Sequence, residues 1–277
     1  MKTVALPSGE RVPAFGLGTW MMAQDKSARA DEIATLRLGL DLGATLIDTA
    51  EMYGEGRAEE LIGEAIAGRR DQVFLVSKVY PHNASRRGAI LACERSLSRL
   101  KTDRIDLYLL HWRGNVPLAD TMDAFMALRH SGKIRHYGVS NLDLADMQEL
   151  WTVPSGSANA TNQLLYNLAR RSIEWDLLPL LRARGVPVMA YSPIEQGRLL
   201  GDRKLADFAK RHGMTPAKAA LAWLLAHDDT IVIPKTSHRE HLRENLAALE
   251  IRLTTAQLAE LDRLFPRPKG PRPLEML

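Results

Sequence analysis

The feature that most restricts the fold of this chain is a regular alternation of short apolar runs with amphipathic stretches. The apolar runs have the length of buried strands, and the stretches between them repeat their apolar residues with the period of a helix. Strict alternation with short links predicts parallel strands joined by right-handed crossovers. The predicted strands are FGLGTW, TLIDTA, VFLVSKV, IDLYLLH, IRHYGVSN, ATNQLLY, VPVMAYSP and TIVIPKT.

Eight such strands predict an α/β fold of the (β/α)8 TIM-barrel class. Short segments around the turn LPSGERVP predict an N-terminal β-hairpin plug, and PRPKGPRPLEML predicts a short, extended C-terminal tail. With no linker or internal repeat, residues 1–277 are predicted to form a single domain. The predicted helices include ARADEIATLRLGLDLG, AEELIGEAIAG, RRGAILACERSLSRLK, LADTMDAFMALRHSG, LADMQELW, SIEWDLLPLLRARG and TPAKAALAWLLAHD.

A doubly wound open sheet with a dinucleotide-binding loop is the competing architecture. The run Gly16-Leu17-Gly18 carries two glycines of such a loop, but Met21 stands in the place of the third. No helix signal follows it directly. The barrel is therefore favoured.

Four polar residues lie at or just past the ends of predicted strands: Asp48, Tyr53, Lys78 and His111. In a parallel barrel these strand ends meet at one mouth, where barrel enzymes carry their active sites. A phenol, an ammonium, a carboxylate and an imidazole in one pocket suit proton transfer to or from a carbonyl oxygen. A nearby cation such as Lys78 is expected to lower the pKa of the phenol, which is about 10 when unperturbed. The sequence therefore predicts an enzyme.

Each of these residues has an alternative when it is considered alone. Tyr53 could line a pocket, Lys78 could form only an ion pair with Asp48 or act as a Schiff-base lysine, and His111 could be a satisfied core residue. Their occurrence together favours proton transfer.

Composition argues against several other classes of function. Hydrophobic residues make up 45% of the chain and charged residues 25%, as in ordinary globular domains. The net charge is +4, but Lys and Arg are interspersed with acidic residues, which favours a phosphate-bearing small ligand over nucleic acid. No apolar segment approaches the roughly 20 residues of a membrane span, and the N-terminal residues lack the pattern of a signal peptide. The single cysteine, Cys93, allows no internal disulfide. We expect a cytoplasmic protein that binds neither nucleic acid nor membranes.

A series of ordered motifs resembles the aldo-keto reductase superfamily from about Gly18 to Leu264. Within it, the stretches HWRG and GVSNLDLADM are similar to short bacterial enzymes that reduce methylglyoxal and related aldehydes. The resemblance implies a (β/α)8 barrel that binds NADPH without a Rossmann domain and reduces a small carbonyl substrate. The motifs are GATLIDTAEMY at 43–53, Lys78, HW at 111–112, GVSN at 138–141, NQ at 162–163, YSP at 191–193 and IPKT at 233–236.

The resemblance also implies roles for individual residues. Tyr53 would protonate the carbonyl oxygen, Lys78 would stabilise the phenolate with Asp48 holding the ammonium, and His111 would orient the substrate oxygen. Among the cofactor residues, Tyr191 would stack on the nicotinamide. Ser140, Asn141 and Gln163 would bind its carboxamide, Lys235 and Thr236 the 2′-phosphate, and Glu244 and Asn245 the adenine. The full predicted cofactor set is Gly18, Thr19, Trp20, Asp48, Ser140, Asn141, Gln163, Tyr191, Ser192, Pro193, Ile194, Gln196, Lys235, Thr236, His241, Glu244 and Asn245.

One position departs from the pattern of the superfamily. His241 stands where many members carry an arginine that binds the 2′-phosphate and stacks on adenine. Histidine can stack, but it lacks the guanidinium fork and is largely neutral at pH 7. We expect NADPH, with a weaker preference over NADH unless Arg239 or Arg243 substitutes. His238 and His241 have a metal-compatible spacing without a third ligand, so no metal site is predicted.

The predicted substrate pocket is apolar and open. Its rim would be formed by Trp20, Met52, Tyr80, His111 and Trp112. The link that begins with Arg113 after the fourth strand is short, which predicts a permissive pocket. Arg113 itself could bind a substrate carboxylate or pair with a surface acid.

Two other functions stay open at this level. A cofactor-binding redox-sensing subunit would share the barrel, but such subunits carry added N-terminal segments and form tetramers, whereas a monomer is predicted for this chain. A reductase specific for a sugar-acid or pyridoxal-like carbonyl would differ only in its pocket.

Overall fold

The computed structural model describes residues 2–277, and in that range it contains a two-stranded hairpin and an eight-stranded parallel sheet. The strands are β1 (Thr3–Ala5), β2 (Arg11–Pro13), β3 (Gly16–Gly18), β4 (Leu46–Asp48), β5 (Phe74–Val79), β6 (Ile105–Leu110), β7 (Ile134–Ser140), β8 (Asn162–Leu165), β9 (Val188–Tyr191) and β10 (Thr230–Val232). Strands β1 and β2 pair antiparallel. Strands β3 to β10 follow one another in consecutive order.

The parallel sheet closes on itself between β3 and β10. The backbone N–H of Gly18 donates to the carbonyl oxygen of Pro234 at 3.0 Å, and that of Val232 donates to Ala14 at 2.9 Å. A Cβ on Gly18 would lie 2.8 Å from the carbonyl oxygen of Ile233, so the closing strands can approach this closely only with glycine here. The predicted (β/α)8 barrel and its N-terminal hairpin are confirmed.

Helices cover the outside of the barrel, and the predicted helix is present in every link between barrel strands. Several begin at a side-chain cap, for example Ser85, Asp202 and Thr254, whose oxygens accept from backbone N–H groups of the first turn. The helices Arg203–Arg211 and Thr255–Leu264 were not predicted. The helices are α1 (Arg29–Asp41), α2 (Arg57–Ala65), α3 (Arg86–Leu100), α4 (Leu118–His130), α5 (Leu144–Leu150), α6 (Leu177–Ala183), α7 (Arg203–Arg211), α8 (Pro216–Leu225), α9 (Arg239–Ala247) and α10 (Thr255–Leu264).

An ion-pair network lies at the amino-terminal ends of the strands. Asp106, at the start of β6, is buried and accepts from Arg70 at 2.8 Å, from Arg135 at 2.9 Å and from the backbone N–H of Leu75 at 2.9 Å. Arg135 also pairs with Glu10, next to the hairpin, at 2.8 Å. The network therefore ties the hairpin to the strands that it covers.

Buried apolar side chains of the hairpin, the strands and the helices form a continuous core. Cys93 lies within it, and burial raises the pKa of its thiol to about 12, as expected for a small buried hydrophobe rather than a reactive thiol. Among the helices of residues 2–277, none combines the length and the apolar character that crossing a bilayer would require.

Candidate active site

A cavity of about 800 Å³ opens at the carboxyl-terminal ends of the barrel strands. Three of the four polar residues at predicted strand ends, Asp48, Tyr53 and His111, line its wall. Most of the predicted cofactor and substrate residues lie there as well. The predicted residues on the wall are Gly18, Thr19, Trp20, Asp48, Met52, Tyr53, His111, Trp112, Ser140, Asn141, Gln163, Tyr191, Ser192, Pro193, Ile194, Gln196, Lys235 and His241.

Lys78 lies behind the wall and connects its polar groups. The residue is completely buried near the end of β5, and its Nζ donates to Asp48 Oδ2 at 2.9 Å, to the carbonyl oxygen of Thr49 at 2.8 Å and to the hydroxyl of Tyr53 at 3.1 Å. An ammonium has three protons to donate, so all are used. Burial alone would lower the pKa of Lys78, but the charge of Asp48 and the contact with Tyr53 raise it on balance. The ammonium is therefore kept charged.

Tyr53 begins a short 3-10 turn, Tyr53–Gly56, rather than ending a strand. Its ring meets Trp20 edge-on at 5.0 Å and His111 at 5.9 Å, which fixes the phenol against the cavity. Burial raises the pKa of Tyr53 above its usual value; Lys78 opposes this and Asp48 reinforces it. Lys78 thus acts in the expected direction, but the expected net lowering is wrong for this structure because desolvation is the larger effect.

His111 follows β6 and presents a neutral imidazole. Burial, reinforced by the charge of Lys78, lowers its pKa well below the usual value. Its Nδ1 is buried and has no hydrogen-bond partner among residues 2–277. The backbone carbonyl of His111 accepts from Asn141 Nδ2 at 3.2 Å, which ties the ends of β6 and β7 together.

Amide and hydroxyl groups occupy the next part of the wall. Gln163 Nε2 donates to Asp48 Oδ1 at 2.8 Å, and the Tyr191 hydroxyl donates to Asn141 Oδ1 at 3.1 Å. Ser140 Oγ donates to the carbonyl oxygen of Gln163 at 2.9 Å. These contacts hold the side chains that β7, β8 and β9 present to the cavity in fixed orientations.

The backbone after β9 is strained. Ser192, Glu195 and Gln196 have φ values of 47°, 53° and 54°, in the left-handed region that non-glycine residues rarely adopt. Each such residue costs on the order of 1–3 kcal/mol and persists only where its surroundings impose it. Strain of this kind beside a cavity is typical of a ligand-binding segment.

Lys235 and His241, which were predicted to contact the phosphate and adenine part of the cofactor, line the cavity. Other residues predicted for the same part of the cofactor do not line it. Lys235 is half-buried and has no ion-pair partner among the described residues; burial lowers its pKa, opposed by Glu32. Thr236, Glu244 and Asn245 lie outside the wall.

The two arginines proposed to substitute for the missing one also lie elsewhere. Arg239 pairs with Asp31 at 2.6 Å, and Arg243 lines a separate surface groove. His238 and His241 meet edge-on at 5.2 Å. Within residues 2–277, no group of three or more His, Cys, Asp or Glu side chains is arranged to hold a metal ion.

On the substrate side, one predicted rim residue lies outside the cavity wall, and the alternative left open for Arg113 is decided. Tyr80 does not line the cavity, because its ring stacks on His82 at 4.6 Å and lies behind Trp112, whose ring it meets at 5.8 Å. Arg113 donates to Glu149 at 2.9 Å and lies 3.4 Å from Asp146, so the surface ion pair is the alternative that the structure supports.

Part of the wall comes from residues that the sequence patterns did not indicate. The extended tail crosses one side of the cavity, where Met276 and Leu277 line it and the backbone N–H of Leu277 lies 3.4 Å from the Tyr191 hydroxyl. A proline-rich pattern predicts an extended chain but not the part of the fold that this chain contacts. The other unpredicted wall residues are Met21, Gly197, Leu200 and Ile233.

Comparisons with known proteins agree with this geometry. Residues 14–265 match the model of the aldo/keto reductase family. Methylglyoxal reductase YeaE of Escherichia coli K12 is 50% identical over 281 residues, covering 100% of this chain and 99% of the relative. Glyoxal reductase of Bacillus subtilis is 31% identical, covering 99% of this chain and 97% of the relative. A Klebsiella pneumoniae aldo/keto reductase solved in complex with NADP and acetate superposes with a TM-score of 0.97 at 49% identity, covering 100% of this chain and 99% of that one.

Proposed function

The chain belongs to the aldo/keto reductase family, and from that premise we propose that it is an NADPH-dependent oxidoreductase that reduces small aldehydes, ketones or dicarbonyls such as methylglyoxal to alcohols. The observation that carries the proposal is that Tyr53 lines the cavity while its hydroxyl lies 3.1 Å from the buried ammonium of Lys78. The name of the Escherichia coli relative and the NADP complex of the Klebsiella protein support the substrate class and the cofactor.

Tyr53 is the proposed proton donor. Because burial raises the pKa of this phenol, the group carries its proton at neutral pH and can give it to a carbonyl oxygen. The phenolate that remains would lie beside the Lys78 ammonium, which stabilises it and which Asp48 holds in place at 2.9 Å. When bound, NADPH supplies the hydride that reduces the carbonyl carbon. Tyr53 then recovers a proton from solvent.

His111 is the proposed orienting group. A neutral imidazole can donate its N–H to a carbonyl oxygen. It does not compete with Tyr53 as an acid, since the pKa of His111 is held well below its usual value. Trp20, Met52 and Trp112 supply the apolar surface against which a small carbonyl compound would lie.

The residues of the wall suit a nicotinamide dinucleotide phosphate. Ser140, Asn141 and Gln163 offer hydroxyl and amide groups for a carboxamide, and Tyr191 offers an aromatic face. Lys235 is a cation without an ion-pair partner among the described residues, as a phosphate site requires. His241 offers no guanidinium fork for a phosphate, so we propose that NADH is also accepted, at lower affinity. Roles for Thr236, Glu244 and Asn245 stay predictions.

The first experiment follows the loss of NADPH absorbance with methylglyoxal and with benzaldehyde, and repeats both with NADH. Turnover with NADPH is the expected result. Tight NADPH binding without turnover on either carbonyl would contradict the proposed substrate class and would favour a redox-sensing role or a narrower substrate.

Lys235→Ala tests the cofactor assignment. We expect the Kd for NADPH to rise about tenfold and that for NADH by less than about twofold, because the substitution removes a charged partner of the 2′-phosphate alone. Lys210→Ala, an exposed lysine outside the cavity, is the matched control. Equal losses for both cofactors would exclude Lys235 as the phosphate ligand.

A further inference from the structure

Two walls of the cavity come from parts of the chain that are distant in sequence and that no common helix or strand joins. One is the β9 segment, defined as residues 192–197, which carries the strained backbone. The other is the tail, defined as residues 266–277, whose last residues cross the cavity. The four prolines of the tail donate no backbone hydrogen bonds, which gives side chains a larger part in anchoring it.

Arg170, which is not on the cavity wall, joins these two walls. Its Nε and Nη2 donate to Glu195 Oε1 in the β9 segment at 3.0 and 2.9 Å. Its Nη1 donates to Glu275 Oε1 in the tail at 2.8 Å. One planar guanidinium therefore binds both carboxylates at once, a geometry that lysine cannot reproduce.

Glu195 connects this guanidinium to the strained backbone. Its carboxylate is buried and also accepts from Asn167 Nδ2 at 2.8 Å, while the same amide donates to the carbonyl oxygen of Ser192 at 2.9 Å. Burial alone would raise the pKa of Glu195, but the hydrogen bonds from Arg170, Asn167 and Arg198 lower it on balance. The charged carboxylate thus helps to impose the unfavourable φ values of this segment.

The tail is anchored at its two ends. Near its start, Arg267 lies 3.2 Å from Glu174. Near its end, the ion pair of Glu275 with Arg170 is joined by a weak contact of Leu277 with Tyr191 at 3.4 Å. Loss of the Glu275 ion pair would leave Met276 and Leu277 held by the packing of Leu274 against the core and by the weak contact with Tyr191.

We propose that Arg170 is a positioning residue that couples the tail to the β9 segment, so that the two open together and thereby control escape of the bound cofactor. The part that concerns the cofactor rests on the proposed function. The mechanical coupling does not, because every contact that carries it lies within the protein.

The coupling is tested first on the cofactor-free protein. In Glu275→Gln, we expect the backbone amides of the β9 segment, Ser192 and residues 194–197, to exchange hydrogen at least about threefold faster, although the substitution lies in the tail. Glu64→Gln breaks the comparably exposed Arg29–Glu64 pair away from the cavity and is the matched control. Unchanged exchange in the β9 segment of Glu275→Gln would overturn the proposal.

The reciprocal effect is measured by limited trypsin digestion. Arg267 and Arg272 are each followed by proline, so Lys269–Gly270 is the tail bond that trypsin can cut. Glu195→Gln, a change in the β9 segment, should accelerate this cleavage about as much as Glu275→Gln does, since coupling is reciprocal.

Arg170→Gln should accelerate the cleavage as well, and adding Glu275→Gln to Arg170→Gln should have no further effect. Additive effects of Arg170→Gln and Glu275→Gln on the cleavage rate would show that Arg170 does not couple the walls. An unchanged cleavage rate in Glu195→Gln would show the same.

Cofactor release is the last measurement. Stopped-flow fluorescence should show NADPH leaving Glu275→Gln about three- to tenfold faster than wild type, with single-turnover reduction within about twofold. If wild type binds no NADPH, the proposed function fails while the exchange and digestion results still decide the coupling. If wild type binds NADPH and the variant releases it at the same rate, control of release is excluded.

Discussion

The two ends of the barrel bury charged side chains in opposite ways. At the amino-terminal end, Asp106 accepts from two arginines and a backbone N–H, so both of its oxygens are bound within the protein. At the carboxyl-terminal end, Lys78 and Asp48 are also buried and paired, but Lys78 donates to Tyr53 as well, and Tyr53 lines a cavity of about 800 Å³ with His111.

This difference between the two ends distinguishes buried charges that stabilise the fold from buried charges that serve a reactive site. A buried charge whose bonding capacity is used up within the protein holds elements together and has nothing left for a ligand. Tyr53 and His111 line the cavity, at the end of the barrel where enzymes of this fold place their reactive groups. Substitutions at the two ends should therefore change different measurable quantities.

The largest expected effect is on catalysis at the carboxyl-terminal end. Tyr53→Phe should lower kcat by about 10²–10⁴-fold, because it removes the proposed acid, while the Kd for NADPH changes by less than about threefold. Steady-state kinetics and fluorescence titration measure the two quantities. Tyr137→Phe removes a hydroxyl from a buried ring of β7 outside the cavity and should keep its turnover. Undiminished kcat in Tyr53→Phe would exclude this residue as the proton donor.

The next effect is on stability at the amino-terminal end. Asp106→Asn leaves Arg70 and Arg135 without their buried partner, so we expect the free energy of unfolding to fall by about 3 kcal/mol. Such a loss would lower Tm by roughly 6–12 °C for a chain of this size. Denaturant titration measures it, and kcat below the transition should stay within about twofold of wild type. Asp71→Asn removes an exposed partner of Arg104 and is the control, which should leave Tm unchanged within error. A Tm unchanged in Asp106→Asn, or a large loss of kcat, would remove the distinction between the two ends.

A smaller effect is expected for cofactor choice. His241→Arg places a guanidinium at the far end of the cavity and should raise the ratio of NADPH to NADH affinity about fivefold, equivalent to about 1 kcal/mol. His238→Arg adds the same charge one turn away, outside the cavity wall, and is the control. An equal gain in both variants would indicate general electrostatic attraction instead of phosphate recognition at position 241.

The smallest expected effect is that of pH. Burial and Lys78 hold the pKa of His111 well below its usual value, so the imidazole is neutral where an unperturbed histidine titrates, and the raised pKa of Tyr53 keeps the phenol protonated in mild base. We therefore expect kcat/KM for carbonyl reduction to vary by less than about twofold between about pH 6 and 9. An inflection near the unperturbed histidine value of about 6.5 would show that His111 titrates in the reacting enzyme.

The fold and much of the site were predictable because their signals are local. Alternation of apolar runs with helical periods reports which residues are buried in each element, and a residue at the end of a parallel strand lies at the barrel mouth wherever that strand stands in the sheet. Asp48, Lys78 and His111 could be assigned in this way. Tyr53 could be assigned to the mouth, although not to the turn that carries it.

What only the tertiary structure decided depends on distant parts of the chain. Burial from all sides determines the sign of the Tyr53 pKa shift, and no sequence window contains those neighbours. Arg113 pairs with a surface acid 36 residues away, and Arg170 meets Glu275 at a separation of 105 residues. The sequence by itself determined the barrel and the strand ends that carry the polar residues. Only the tertiary structure decided that the tail closes one side of the cavity and in which direction the pKa values of its residues shift. Both depend on desolvation and ion pairing, and therefore on which groups the complete fold brings together.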